Sequence, residues 1–532
     1  VLRGGGSFID AALAAAAVLN VVEPFASHLG GDAFLLVHEG ATGRTVAING
    51  SGAAPLGVRA ADFATGIPTR GLRAATVPGQ VHAWQTAHRL WGRLPWQSLF
   101  DRAIELAETG FAASDEYAAA VEGTRDVHEQ PGFSGQFRPG GRPVAAGQIV
   151  RMPAVARTLR EIAAGGAEAY YEGAIADRIG ADSRRLGGWF EPQDLARHET
   201  RILEPLRIGY PHLPRPTGPG TRGASPADPK RAELDRCPLT SPAGRSGARE
   251  WTIAEQPPPS QGFITLQALG ISQALGLHEL PFDDPQRVHG MIEAVRLAFA
   301  DKDRYWADPE RYRLPVRELL DPEYIRRRAR LVRMDRAGAF AAGDIGAAGE
   351  TTYLCAADET GNAVSFIQSI FYTFGSGVVV GDTGILLNNR MNGFVTRAGH
   401  VNEVSPGRRP VHTLNTYLVY DGPELRYVGG TPGGNKQVQW NVQVLSALLD
   451  HAMTVQQAAA APRWAIDDDG TIRVERDYGD DVIEGLRRRG HRVRVVAPRT
   501  VGGKVQLLEV GRAGQAVAAA CDPRCAGRSI VE

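Results

Sequence analysis

The sequence predicts a mixed α/β (α+β) fold, a four-layer αββα sandwich. Three observations carry this expectation. The chain up to Glu350 is dominated by helical patterns, the stretch from Thr351 onward reads as a run of short strands, and further helices flank those strands.

The composition bounds what such a chain can be. Its 532 residues are enough for a sizeable core, and length alone suggests two to four domains. The hydrophobic fraction of 43% is ordinary for a globular chain. Lys+Arg and Asp+Glu are equal at 59 each, so no bulk charge points to nucleic acid or a membrane surface. No apolar run reaches membrane-spanning length. The four cysteines, Cys237, Cys355, Cys521 and Cys525, have no CxxC spacing, and the histidines are not clustered, so no metal site and no cofactor are expected. The chain starts at Val1, already in a helix pattern, which suggests missing N-terminal sequence. The compartment stays open, with cytoplasmic favoured over periplasmic.

In chain order, Gly4-Gly5-Gly6 leads into an alanine-rich helix running to about Asn20, suited to close packing on a sheet. Leu29-Gly30-Gly31-Asp32 reads as a tight turn before the strand Phe34–Val37, and a second strand covers Thr45–Ile48. A helix carrying Trp84 follows, then an amphipathic one over Leu94–Thr109 with Leu99, Ala103, Ile104 and Ala107 on one face. Ala154–Arg185 alternates short helices, and Asp194 is expected to cap another. Residues 210–250 are dense in Pro, Gly, Arg and Ser without apolar periodicity, so an exposed, disordered insertion is expected, with Cys237 inside it. Helices then run to Leu275, over His289–Tyr305 with an ion-pair network, and over Arg326–Ala341 as a basic, solvated face. Ala341–Glu350 is Gly/Ala-rich and expected to be flexible.

From Thr351 the expected strands are 351–358, 363–368, 378–380, 385–387, 416–420 and 426–428. Helices follow at Gln437–Asp450 and Thr454–Ala461. Ile472–Arg476 through Val505–Val510 reads as strand–helix–strand cover.

Thr351 opens its strand, and that placement suits one chemistry. If the chain is cut before it, the freed α-amine sits beside Thr351 Oγ and can act as its base, with a reference pKa of about 8. Thr352 points to the opposite face of the strand and is the poorer candidate. The hairpin from Thr351 through Gly361-Asn362, then Gly384-Ile385-Leu386-Leu387-Asn388-Asn389, then Gly430-Thr431-Pro432-Gly433-Gly434, together resemble the γ-glutamyltranspeptidase family. That family consists of self-processing N-terminal-nucleophile hydrolases, and the resemblance runs from Gly4-Gly5-Gly6 to Asp522-Pro523-Arg524. It implies the αββα sandwich, cleavage between Glu350 and Thr351, a large subunit 1–350 and a small subunit 351–532. It also implies that Ser369 supplies a hydroxyl to the nucleophile, and that Gly433 and Gly434 form an oxyanion hole from two closely approaching amides.

The substrate pocket departs from the transpeptidases. Ser51 stands where they carry an arginine, Gly393 where they carry an aspartate, Phe371 for an asparagine and His412-Thr413 for paired serines. Losing both charge partners of a buried zwitterion disfavours the usual γ-glutamyl binding. Arg390, His412, Thr413 and Asn415 are the replacement candidates for holding a small carboxylate, and Gly434–Asn441 resembles the branch that includes oxamate amidohydrolases. The expected activity is therefore an amidohydrolase acting on a γ-glutamyl compound such as glutathione or a small amide acid such as oxamate. Its expected partners are a small-molecule amide and the two subunits of the cut chain, with no nucleic acid and no membrane. A non-catalytic, unprocessed binding protein on the same scaffold is the alternative; Thr351, Ser369, Gly433 and Gly434 argue for the enzyme.

Overall fold

The computed structural model describes residues 1–211, 250–338, 350–511 and 516–530. Helix α1 (Phe8–Val22) is started by a reciprocal cap: the Ser7 hydroxyl accepts from the Asp10 amide at 3.1 Å, and the Asp10 carboxylate accepts from the Ser7 amide at 2.8 Å. It is followed by strands β1 (Asp32–His38) and β2 (Thr45–Gly50), and by helices α2 (Gln80–Trp91), α3 (Asp101–Thr109) and α4 (Pro153–Tyr171). Next come β3 (Arg201–Leu203), β4 (Leu206–Pro211), β5 (Glu250–Glu255), α5 (Gly262–Ala274) and α6 (Pro285–Tyr305). The remainder contributes β6 (Glu350–Ala357), β7 (Ala363–Phe371), β8 (Thr416–Asp421), β9 (Glu424–Gly430), α7 (Lys436–Leu449), β10 (Gln506–Val510) and β11 (Ala516–Cys521).

Two antiparallel sheets form the centre. One has the order β3-β2-β1-β7-β6, the other β11-β10-β9-β8-β5-β4. The period-two alternation of each strand sorts its side chains between layers. Leu35 and Val37 face Leu13, Ala16 and Trp84 of the helices over the first sheet. Leu36, between them, packs with Ala47 and Ala363 against Leu418 and Val428 of the second sheet. Tyr417 and Val419 then face Phe263, Met291, Val295 and Leu445 on the far side. The layers are helix, sheet, sheet, helix, as the sequence predicts. Strands from before Glu350 and after it share both sheets, so position 350/351 does not divide two separately folded bodies.

Several expected elements need correction. Tyr210, Pro211 and Glu250, assigned to the insertion, are strand residues: Tyr210 pairs with Trp251 and Pro211 with Glu250. The rest of that stretch, 212–249, lies outside the described residues, as does 341–349 of the segment expected to be flexible; its last residue, Glu350, is instead a strand residue paired with Phe371. The helix expected over Arg326–Ala341 instead spans Pro322–Ala329, because Asp321 caps it (accepting from the Glu323 and Tyr324 amides) and Pro322 fits its first turn. Nor is its basic face wholly solvated, since Arg328 reaches inward to Asp301 at 3.2 Å. Asp194 is not the cap residue of its helix. It sits in the first turn, where its carboxylate accepts from the amides of the actual cap, Glu191, at 2.9 Å and of Leu56 at 2.8 Å. Val505–Val510 is not peripheral cover: β10 lies inside the second sheet, and the cover is a small sheet of Trp464–Ile466, Ile472–Glu475 and Val493–Val496.

Candidate active site

The head of β6 is irregular, and the irregularity aims a hydroxyl at one peptide bond. Glu350 pairs with Phe371 and Thr352 with Gln368, so Ser369 and Ile370 together oppose Thr351. Such a bulge redirects side chains from the regular alternation. Here the Ser369 hydroxyl donates to the Glu350 carbonyl at 2.7 Å, accepts from the Phe371 amide at 2.8 Å, and lies 3.5 Å from Thr351 Oγ. Phe371 adopts the left-handed backbone region at φ 82°, which costs a bulky residue on the order of 1–3 kcal/mol. Thr351 is buried with its hydroxyl on this face. The Thr352 hydroxyl turns the other way, to Ser27 at 3.1 Å and Glu23 at 3.5 Å.

Thr351 and Glu350 line a cleft of about 400 Å³, shared with Glu23, Glu116, Pro432 and Lys504. Burial raises the carboxyl pKa values of both Glu23 and Glu350, and the Lys504 ammonium partly opposes it. Beyond Pro432, Gly433 (φ 130°) and Gly434 (φ 57°) make a turn that requires glycine: a Cβ on Gly433 would lie 2.2 Å from the Trp440 ring. The Gln261 side-chain amide donates to the Gly434 carbonyl at 3.0 Å and to the Thr413 carbonyl at 2.6 Å. Among the described residues neither the Gly433 nor the Gly434 amide donates to a protein acceptor. Behind this turn Lys302 donates to Asn435 Oδ1 at 2.6 Å, and burial pushes its ammonium pKa down to about 7.

Asp32 gathers a second cluster. Its position on β1 pairs with Ser369, so it stands one strand away from the bulge. Its carboxylate accepts from the Gly52 amide at 2.9 Å, meets His412 Nε2 at 3.1 Å and lies 3.6 Å from Arg390 Nε. Arg390 is 1% exposed. Its guanidinium stacks 4.2 Å over the Phe371 ring and reaches Thr413 Oγ1 at 3.5 Å. Arg390 Nη2 and His412 Nδ1 have no hydrogen-bond partner among the described residues. These residues do not line the Thr351 cleft. Ser51 and Asn415 are committed elsewhere: Ser51 donates to Asn49 Oδ1 at 2.7 Å, and Asn415 donates to Glu255 at 3.2 Å and Thr265 at 3.0 Å.

Sequence reasoning missed Asp32, passing it as the end of a turn. The signal was Gly30-Gly31 beside it. A Cβ on Gly31 would lie 2.6 Å from the Ser369 carbonyl, and one on Gly30 2.3 Å from that of Leu386, so the pair allows β1 to start hard against the site. Lys302 and Gln261 were missed too, because nothing in a linear pattern places them behind Gly433-Gly434.

Burial also lowers the His412 pKa to about 4, with the nearby Arg390 charge adding to the effect, and that of His28 to about 3. The folded values lie below the unfolded reference of about 6.5, so between those limits the unfolded chain binds more protons. Stability is therefore full above about pH 6.5 and falls as pH drops towards 4, by on the order of 3 kcal/mol for His412 alone. Urea unfolding across that range is expected to show the loss, and His412→Asn to flatten it.

The sequence model of the gamma-glutamyltranspeptidase family matches residues 1–216 and 238–531, with its break inside the 210–250 stretch. The chain belongs to the gamma-glutamyltranspeptidase family. It is 34% identical over 514 residues to the oxamate amidohydrolase proenzyme of Klebsiella pneumoniae, covering 93% of this chain and 89% of that protein. It is 30% identical over 541 residues to a glutathione hydrolase-like proenzyme of Bacillus subtilis, covering 100% and 95%. The cephalosporin acylase of Bacillus halodurans superposes with a TM-score of 0.85 at 32% identity, over 99% of this chain and 92% of that one. The αββα sandwich is accordingly that of the N-terminal-nucleophile hydrolases, and this member of the transpeptidase family is an amidohydrolase rather than an inert binding protein. One departure from the transpeptidase pattern has a steric counterpart. At Gly393 a Cβ would lie 2.6 Å from the Val411 carbonyl, so the backbone here leaves no room for a carboxylate side chain.

Proposed function

We propose that this chain is a proenzyme cut between Glu350 and Thr351 into subunits 1–350 and 351–532, and that Thr351 is the nucleophile of the mature amidohydrolase. The observation that carries the reading is the Ser369 hydroxyl, 2.7 Å from the Glu350 carbonyl and 3.5 Å from Thr351 Oγ. Attack of Thr351 Oγ on the Glu350 carbonyl carbon places negative charge on an oxygen that already accepts a hydrogen bond. Collapse breaks the C–N bond, the Thr351 nitrogen takes the proton, and water hydrolyses the resulting ester to free the Glu350 carboxylate. The liberated Thr351 amine then serves as base when Oγ attacks a substrate amide. The acyl-enzyme forms on Thr351 as the amine or ammonia leaves, and water releases the acid.

The substrate supported best is a small amide that carries a carboxylate, of the oxamate kind. Arg390 Nη2 is buried and unpartnered among the described residues, and a bound carboxylate would accept from it; beside it the unpartnered Nδ1 of His412, whose Nε2–H faces Asp32, would accept an N–H of the substrate amide. A γ-glutamyl compound such as glutathione is the second reading, favoured by the name of the Bacillus subtilis relative.

Intact mass tests the maturation step. Two chains, the smaller beginning Thr-Thr-Tyr, are expected; one uncut chain that hydrolyses neither oxamate-like nor γ-glutamyl amides would overturn the proposal. The proposed oxyanion turn gives a further expectation. Gly433→Ala should lower kcat for amide hydrolysis about 10²–10³-fold, because its Cβ meets Trp440 and displaces both amides. Steady-state kinetics on folded, fully cut protein checks this.

A further inference from the structure

Away from the cleft, the fold joins three side chains that the hydrolytic chemistry does not use. His289 and Glu293 stand one turn apart on α6, so they share a face. His491 arrives from 202 positions along the chain, and its Nε2 lies 2.7 Å from His289 Nδ1. All three residues are buried, and one ligand atom from each lies within 4.8 Å of the others. The sequence, read for clustered histidines, suggests no such site; it exists only because the C-terminal region packs on α6.

The polar contacts around the cluster set its chemistry. His289 Nε2 lies 2.9 Å from the Arg333 carbonyl, which can only accept, so Nε2 carries the ring proton and Nδ1 turns a lone pair to the centre. A backbone carbonyl holding the distal N–H is the usual support of a metal-binding histidine. His491 Nδ1 has no partner among the described residues, so it is free to take the proton that Nε2 now donates to His289. Glu293 accepts from the Gly338 amide at 2.6 Å through Oε2, and from Arg296 at 3.1 Å through Oε1. The Arg296 side chain is 24% exposed and can turn to solvent.

We propose that His289 Nδ1, His491 Nε2 and a Glu293 carboxylate oxygen form a binding site for a divalent transition ion of the zinc type. Two imidazoles and one carboxylate suit that ion, and three protein ligands leave a fourth position for water. Binding moves the His491 proton from Nε2 to Nδ1, releases Arg296 from Oε1, and widens the nitrogen spacing from 2.7 Å to about 3.3 Å, as two bonds of about 2.0–2.1 Å at a tetrahedral angle require. The nearby guanidinium groups of Arg296 and Arg489 weaken the affinity by repulsion. The ion would brace α6, the Arg333–Gly338 segment and His491 against one another. The inference is independent of the hydrolytic reading.

The test uses the full chain, stripped with chelator and dialysed, then titrated with zinc chloride by calorimetry. A parallel cobalt titration is read by visible absorption. One equivalent of zinc, a tetrahedral cobalt spectrum and a raised unfolding temperature at saturation are expected. Both His491→Ala and Glu293→Gln should lose the spectrum and the temperature shift; the second substitution preserves shape if the first fails to fold. Absence of a stoichiometric equivalent in the wild-type chain would overturn the proposal. Undiminished binding in both variants would overturn it as well, and would move the ion to other groups such as the Cys521 and Cys525 thiols.

Discussion

Thr351→Ala is expected to leave the protein as one chain of 57.0 kDa and to reduce amide hydrolysis by at least about 10⁴-fold, the scale of losing a covalent nucleophile. The argument rests on two jobs assigned to one hydroxyl. Without Oγ there is no attack on the Glu350 carbonyl, hence no cut, no free amine and no acyl-enzyme. The substitution removes a methyl and a hydroxyl from a buried position whose hydroxyl contact with Ser369 is long at 3.5 Å, so the fold should survive it. Intact mass, with circular dichroism to establish folding, checks the result. Ser369→Ala separates the parts. It keeps the nucleophile but removes the hydrogen bond to the Glu350 carbonyl, so cutting should proceed about 10²–10³-fold more slowly rather than stop. Complete cutting of Thr351→Ala at the same bond would sink the assignment of Thr351.

How much of this was legible in the sequence depends on the range of the contacts concerned. The layers were legible, because strands such as Phe34–Val37 and Ala363–Gln368 announce themselves by β-branched and aromatic runs between turn residues. The alanine-rich α1 was legible for the same local reason. The strands β3, β4 and β5 were not: β3 has three residues, and β4 and β5 flank a Pro/Gly/Arg-rich stretch whose composition spread over their ends. Similarly, β10 looked like cover because its neighbours in the sheet, β9 and β11, are set by tertiary pairing.

The site divides in the same way. Thr351, Ser369 and Gly433-Gly434 stand in motifs and could be named, and the hairpin brings Thr351 and Ser369 together through a register that alternation nearly dictates. The bulge that turns Ser369 towards the Glu350 carbonyl could not be read, since it depends on the strained Phe371 backbone. Asn415 and Ser51 show what such motifs leave out. Each lies beside a motif, yet Asn415 has its amide donated to Glu255 and Thr265 and Ser51 its hydroxyl to Asn49, and no one-dimensional pattern reports such commitments.

Arg390→Met is expected to raise KM for small carboxylate-bearing amides about 10²–10³-fold while leaving the cut at Glu350/Thr351 intact. A charge-assisted hydrogen bond to a bound carboxylate, made in a desolvated site, is worth about 3–4 kcal/mol when one partner is deleted, which corresponds to that factor. The cut is intramolecular and recognises no free carboxylate, so it should be indifferent to the change. Stability should fall as well, by up to about 3–5 kcal/mol, because the buried Asp32 carboxylate loses the cation 3.6 Å away and keeps only the Gly52 amide and a neutral His412. The kinetics are therefore read on protein shown to be folded. Arg390→Lys should recover the charge but not the planar fork, and so restore binding only in part. Kinetics on paired substrates, one carboxylate-bearing and one with that group replaced by a neutral amide, provide the reading. An equal loss on both would mean that Arg390 shapes the pocket without recognising the acid, and the small-acid assignment would fall with it.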